Sequence, residues 1–101
     1  EDGYVARPYL GISARTVTED IAANYNLPIG AYISEIDPNG SAYKAGLRTG
    51  DVIIEFNEVT IDSIEKLIEE KFKSKIGDIV EIKAITEDGI ESTFTVEFKK
   101  N

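Results

Sequence analysis

The side chains that most often carry chemistry in proteins are missing from this 101-residue chain, which contains neither histidine nor cysteine. Without histidine there is no Ser-His-Asp triad, and the commonest zinc ligand and general base are absent. Without cysteine there is no thiolate metal site and no disulfide. Any catalysis would depend on carboxylates, lysine or tyrosine. We therefore expect no catalytic residue, no metal site and no cofactor.

One acidic turn has the composition of a cation-binding loop. Residues 37–40 read Asp-Pro-Asn-Gly, but the glycine stands in the wrong place for a calcium loop and no ligand follows at the needed spacing. The same residue types favour an ordinary turn, which is our prediction. A catalytic fragment that uses carboxylates or a metal is the competing hypothesis. A large shift of the thermal melt on addition of calcium or EDTA would favour it.

The charge balance limits the classes of partner. Nineteen acidic against eleven basic residues leave a net charge of −8, and such a surface repels nucleic acid and anionic membranes. We expect neither as a partner. No apolar run approaches the roughly 20 residues that span a bilayer, so we expect no direct membrane insertion. The length, with 42% hydrophobic and 30% charged residues, fits one globular domain.

Alternating apolar residues and turn formers predict strands at residues 9–14, 30–36, 51–56, 59–61, 79–86 and 90–98. Helical spacing predicts a short helix at 18–25, a single turn at 41–45 and a longer helix at 63–73. The order indicates an α+β fold, a small partly open barrel or sandwich of five to six mainly antiparallel strands capped by two helices.

Caps and turns refine these elements. Thr18 and Ser41 are candidate N-caps, and Asp62 with Glu65 has the spacing of a capping box. Gly46 is placed to end the short turn in the left-handed conformation. Asp-Gly at residues 88–89 predicts a tight hairpin between the last two strands.

Three separated features resemble the PDZ domain that follows the protease domain in bacterial HtrA-like serine proteases. Residues 7–12 read Arg-Pro-Tyr-Leu-Gly-Ile, which is similar to the family's carboxylate-binding loop. Residues 40–53 read Gly-Ser-Ala-Tyr-Lys-Ala-Gly-Leu-Arg-Thr-Gly-Asp-Val-Ile, which is similar to its most recognisable stretch. The third feature is Asn57, the helix from Ser63 and then Gly-Asp at 77–78. The resemblance implies a linker remnant at 1–8, a PDZ domain at 9–98 and a tail at 99–101.

The resemblance also implies a groove between a strand and a helix that holds the C-terminal end of another polypeptide. Successive backbone N–H groups near Gly11 would bind the carboxylate as a nest, and the strand edge after it would pair with the peptide. The expected peptide-binding residues are Tyr9, Leu10, Gly11, Ile12, Ser13, Ala14, Ile64, Leu67 and Ile68.

Several residue roles have a plainer alternative. The glycine turn by itself is an ordinary turn into a strand, and Ile64 and Ile68 fit core packing. Arg7 and Arg15 flank the loop and could steer a carboxylate, or could be solvated charges. In PDZ domains the first residue of the groove helix often determines specificity, and here this residue is Ser63 or Ile64. The side chain preferred at the third ligand residue from the end is therefore left open.

By this resemblance the chain is a non-catalytic peptide-binding module that captures polypeptide C-termini ending in valine, leucine, isoleucine, phenylalanine or alanine. Its expected partners are such C-terminal peptides or unfolded proteins and the protease domain of an HtrA-like serine protease, where it would dock substrates or regulate. The implied location is extracytoplasmic, in the periplasm or cell envelope. The alternatives are a PDZ domain of a C-terminal-processing protease or an intramembrane metalloprotease, or a scaffolding or oligomer-contact module.

Overall fold

The computed structural model describes residues 10–98, so the predicted linker and tail, with Arg7 and Tyr9, lie outside the described residues. The strands are β1 (Ile12–Val17), β2 (Gly30–Ile36), β3 (Val52–Phe56), β4 (Val59–Thr60), β5 (Ile79–Ile85) and β6 (Glu91–Glu97). The helices are α1 (Glu19–Tyr25), α2 (Ser41–Ala45) and α3 (Ile64–Phe72). The predicted α+β class is confirmed. The single helical turn predicted at 41–45 is the short helix α2, and α1 and α3 are the two longer helices.

The strands form one antiparallel sheet in the order β1-β2-β3-β5-β6, and β4 pairs with β3 beside this path. β1 therefore has a strand partner on one side only among residues 10–98. Its pairing with β2 shifts register between Ser13 and Ala14. The hydroxyl of Ser34 donates a hydrogen bond to the Ser13 carbonyl at 3.0 Å across this irregularity.

Tight turns join β3 to β4 and β5 to β6, and the second of them is the hairpin predicted at residues 88–89. Asn57 and Glu58 have φ of 51° and 73° between β3 and β4, the pattern of a two-residue hairpin loop. Between β5 and β6, Gly89 has φ of 84° and its N–H donates to the Thr86 carbonyl at 2.8 Å. This second turn places only the glycine, and not Asp88, in the left-handed region.

The helix caps confirm two predictions and correct two. The Thr18 hydroxyl accepts the Ile21 N–H at the start of α1, and Gly46 ends α2 with φ of 115°. The N-cap of α2 is Gly40, not Ser41, because helical backbone begins at Ser41 itself. The N-cap of α3 is Ser63, whose hydroxyl accepts the Lys66 N–H at 3.2 Å. The capping box predicted from Asp62 was therefore wrong by one residue.

The core lies between the sheet and the inner face of α3. Its largest buried side chains include Phe56 and Phe98, whose rings stack with centroids 6.4 Å apart. Leu10 and Leu67 are each 2% exposed and join this cluster from the start of the described chain and from α3. The groove described below therefore lies directly on the core.

A cluster of charged side chains from residues 66–73 is centred on Glu70, which is buried. Lys73 donates a hydrogen bond to Glu70 Oε2 at 3.0 Å, and Lys66 Nζ lies 3.8 Å from the same oxygen. The hydrogen bond to Glu70 is the main reason that the pKa of Lys73 lies above its ordinary value. Glu69 pairs with Lys66 at 3.6 Å on the same helix.

Candidate functional site

The loop before β1 is held by its carbonyl groups. The Leu10 carbonyl accepts the Ala42 N–H at 3.1 Å, and the Gly11 carbonyl accepts the Asp37 N–H at 2.7 Å. Gly11 has φ of 78°, a conformation that glycine adopts without steric cost. Both carbonyls therefore face the neighbouring turn before α2, and the peptide planes are fixed by contacts inside the fold.

The amide groups of the same loop are left without acceptors in the part of the chain that the structure describes. No hydrogen bond there uses the N–H of Leu10 or Gly11. Ile12 lies opposite Ile36 in the β1–β2 register, and the flanking bond from Asp37 to Gly11 makes this a non-hydrogen-bonded pair. The N–H of Ile12 therefore points away from β2, toward the open side of β1.

The second wall of the site is α3. Its first residue is tied to β1, because the Ile64 N–H donates to the Thr16 hydroxyl oxygen at 2.9 Å. Ile64 is half-buried and Leu67 is buried, whereas Ile68 is 43% exposed. The alternative of plain core packing for Ile68 is therefore wrong, and its side chain lies at the surface of the helix.

A groove of about 520 Å³ lies between these two walls. Its lining residues are Leu10, Gly11, Ile12, Ser13, Glu35, Ile36, Asp37, Ile64, Leu67, Ile68 and Lys71. Seven of the nine residues expected from the sequence line it. Tyr9 lies outside the described residues, and Ala14 belongs to β1 but is not part of the lining. That these residues bind a peptide stays a prediction.

Sequence reasoning missed four members of the lining, which are Glu35, Ile36, Asp37 and Lys71. Glu35 lines the groove because β2 pairs with β1, which places Glu35 opposite Ser13. The register of this pair shifts between Ser13 and Ala14, and the sequence alone does not reveal such a shift. Lys71 stands four residues after Leu67, so the two share a helix face. That spacing was visible in the sequence and is the signal that could have identified Lys71.

Arg15 contributes to a different depression. A second cleft of about 500 Å³ lies beside α1 and the β5–β6 turn, and Arg15, Tyr25 and Tyr32 contribute to its walls. Arg15 is exposed and does not line the groove between β1 and α3. The possible steering role of Arg15 at the carboxylate loop therefore finds no support in its position.

The turn at residues 37–40 is formed by hydrogen bonds within itself. The Asn39 N–H donates to Asp37 Oδ1 at 2.9 Å and the Gly40 N–H donates to the Asp37 carbonyl at 2.9 Å. In residues 10–98, no three histidine, cysteine, aspartate or glutamate side chains are grouped so that they could hold a metal ion.

None of the three helices formed by these residues is long and apolar enough to cross a membrane.

Curated relatives of this chain are bacterial serine endoproteases. A protein from Halomonas elongata named a probable periplasmic serine endoprotease DegP-like is 35% identical over 86 residues, which cover 83% of this chain and 18% of the relative. A protein of the same name from a Marinomonas species is 36% identical over 97 residues, covering 94% of this chain and 20% of the relative. The chain thus spans about a fifth of the length of these relatives.

Solved structures show the same fold. A variant of the HtrA-type protease AlgW with decapeptide superposes with a TM-score of 0.85 at 22% identity, covering 99% of this chain and 31% of the protease. The PDZ domain of HtrA3 bound to a phage-derived ligand, FGRWV, superposes with a TM-score of 0.77 at 19% identity, covering 92% of this chain and 86% of that domain.

The family assignment rests on a match over most of the sequence. The PDZ domain family matches residues 8–98, which include both walls of the groove and the complete sheet. The two comparisons above agree with it in sequence and in fold. This chain therefore belongs to the PDZ domain family.

Proposed function

We propose that this PDZ domain captures the C-terminal ends of other polypeptides in the groove between β1 and α3. The observation that carries the proposal is the orientation of the loop at Gly11. Its carbonyls are bonded inside the fold, whereas the N–H groups of Leu10 and Gly11 have no acceptor among residues 10–98. Converging backbone N–H groups are suited to an anion such as a terminal carboxylate.

The strand edge supports the same proposal. β1 has no second strand partner within the described chain, and its outward N–H at Ile12 opens beside the groove. A peptide strand that adds to such an edge gains main-chain hydrogen bonds whatever its sequence. Ile12, Leu67 and Ile68 supply apolar walls, so the ligand's last side chain is an apolar one.

The expected affinity is weak and reversible. Three or four hydrogen bonds at about 1 kcal/mol each and about 2–3 kcal/mol from one buried apolar side chain must offset the cost of association. This small surplus excludes tight binding, so we expect a dissociation constant no lower than the micromolar range, which corresponds to about 8 kcal/mol. The domain itself performs no catalysis in this proposal.

The relatives support a parent protein of the periplasmic serine endoprotease class. They are named as such, and this chain spans only about a fifth of their length. We propose that the domain docks substrates or regulates the protease domain of such a parent outside the cytoplasm. The AlgW structure contains a decapeptide and the HtrA3 ligand ends in valine, which favours the same kind of ligand here.

A panel of fluorescein-labelled decapeptides tests the proposal. Each has a glycine–serine head and a varied last four residues, and is made both as a free acid and as a C-terminal amide. We expect free acids ending in valine, leucine, isoleucine, phenylalanine or alanine to bind, and their amides to bind at least about tenfold more weakly, the equivalent of losing one charged hydrogen bond. Equal binding of the two forms would exclude the amide nest as a carboxylate site.

A further inference from the structure

The direction of α3 brings one lysine to the loop end of the groove. The hydrogen bond from Ile64 to Thr16 fixes the start of the helix beside the far end of β1. Lys71 stands seven residues further, about 10 Å along the helix axis. Four residues back along β1, about 13 Å, lead from Thr16 to Ile12. Lys71 thus shares the lining with Leu10 and Gly11.

The ammonium group of Lys71 is not used by the charge cluster of its own helix. Lys66 and Lys73 both pair with Glu70, at 3.8 Å and 3.0 Å. For Lys71 the contact within residues 10–98 is with the ring of Phe72, 6.0 Å from its Nζ to the ring centroid. Lys71 is half-buried in a chain with eight more acidic than basic residues. A half-buried cation that has no carboxylate partner within residues 10–98 is available for an external anion.

The groove needs such a cation if it is to hold a carboxylate. Glu35 is part of the same lining and is exposed, and the protein as a whole carries a charge of −8. A terminal carboxylate that enters is therefore repelled by Glu35 and by the overall negative charge. Backbone N–H groups orient an anion but carry no net charge, so they do not cancel this repulsion.

We infer that the Lys71 ammonium is the counter-charge for the terminal carboxylate of the bound peptide, acting together with the N–H groups of the loop. This inference rests on the proposed function and adds the residue that makes the groove selective for a free C-terminus. The competing role for Lys71 is structural, since a cation in the last turn of a helix also interacts favourably with the helix dipole. A structural role would change stability without distinguishing acid from amide.

Titration of two ligand forms against the wild-type domain and three variants separates these roles. The tightest-binding decapeptide of the panel is titrated, as free acid and as amide, against the wild-type domain and the Lys71→Met, Lys71→Arg and Lys75→Met variants. Lys75→Met is the matched control, because it changes the net charge equally and Lys75 does not line the groove. We expect Lys71→Met to weaken the free acid about five- to tenfold and to leave the amide within about twofold.

The two companion variants and the salt dependence complete the test. Lys71→Arg should keep the preference for the free acid, and Lys75→Met should change neither form. Between about 20 mM and about 300 mM salt, the wild type should lose free-acid affinity more steeply than Lys71→Met, since screening removes the charge interaction. An unchanged acid-to-amide ratio in Lys71→Met, with acid still preferred, overturns the role of Lys71 alone. If no free acid binds the wild type, the proposed function and this inference fail together.

Discussion

Gly40 lies directly against the backbone of Leu10. A Cβ on Gly40 would stand 2.5 Å from the Leu10 carbonyl oxygen and 2.8 Å from the Gly11 Cα atom, closer than real Cβ atoms approach. Gly40 has φ of −83°, so the requirement for glycine here is steric and not conformational. The turn before α2 thus packs directly against the loop before β1, which connects two sequence features that lie 30 residues apart.

Replacing Gly40 by alanine should therefore displace the loop. We expect Gly40→Ala to lower the free energy of unfolding by about 1–3 kcal/mol, as in other overpacked sites, and to weaken free-acid decapeptide binding about tenfold or more because the N–H groups no longer converge. Chemical denaturation and fluorescence anisotropy measure the two effects.

Gly89→Ala is the control for this substitution. A Cβ on Gly89 would meet nothing within 4 Å, but its φ is 84°, so alanine there costs about 1–2 kcal/mol through backbone strain alone. This variant should lose stability and keep the wild-type dissociation constant. Wild-type affinity in Gly40→Ala would contradict a loop held by this contact.

The link between the two walls of the groove gives a second prediction. Thr16→Val keeps the size of the side chain but removes the acceptor of the Ile64 N–H, which is one of the orphan groups at the start of α3. An unsatisfied, partly buried N–H costs about 1–3 kcal/mol of unfolding free energy. We also expect weaker decapeptide binding, because the start of α3 is no longer held beside β1. Thr16→Ser retains the hydroxyl and should behave like the wild type in both measurements.

Substitutions of two side chains of α3 should distinguish ligand binding in the groove from stability of the core. Ile68 is 43% exposed and lines the groove, so Ile68→Ala should weaken binding about tenfold at a stability cost below about 1 kcal/mol. Leu67 is 2% exposed and belongs to the core, so Leu67→Ala should cost about 2–5 kcal/mol of stability. Ile79 is 63% exposed and outside the lining. Ile79→Ala should change neither property, and an unaffected dissociation constant in Ile68→Ala would remove this residue from the site.

The features of this fold that local chemistry determines could be predicted from the sequence. The alternation along β1, the glycine at residue 11 and the helical spacing of Ile64, Leu67 and Ile68 carry their meaning within a few residues. Together with the resemblance to PDZ domains, they identified seven residues that line the groove.

Contacts that depend on tertiary placement could not be predicted in this way. The hydrogen bond between Ile64 and Thr16 joins residues 48 positions apart. The burial of Glu70 depends on how α3 packs in the folded domain. The N-cap of α3 was misassigned because Asp62 and Ser63 are both good caps, and the local sequence does not distinguish between them.

Glu35, at the rim of the groove, should favour positively charged residues in the ligand. Glu35 lies opposite Ser13 in the β1–β2 register, and both are exposed and line the groove. We expect decapeptides with lysine at one of the two positions before the last residue to bind about two- to fivefold more tightly than those with glutamate, as for exposed ion pairs. Glu35→Lys should reverse this order. Glu97→Lys, on β6 and outside the lining, should leave it unchanged, and a Glu35→Lys domain with the wild-type order would contradict the assignment.

The ion pair between Lys73 and Glu70 makes a defined contribution to the pH dependence of stability. The pKa of Lys73 is raised in the folded protein, chiefly by its hydrogen bond to Glu70. A raised pKa stabilises the folded state fully below the ordinary lysine value of about 10.4, and this contribution is lost as the pH rises through the folded-state pKa. The wild type should therefore melt at a higher temperature than Lys73→Met near pH 8, and the difference should shrink by about pH 11.5. Lys75→Met corrects for the general effect of removing one lysine. If the difference in melting temperature between wild type and Lys73→Met persists at high pH, the Lys73 side chain stabilises α3 by packing and not by its charge.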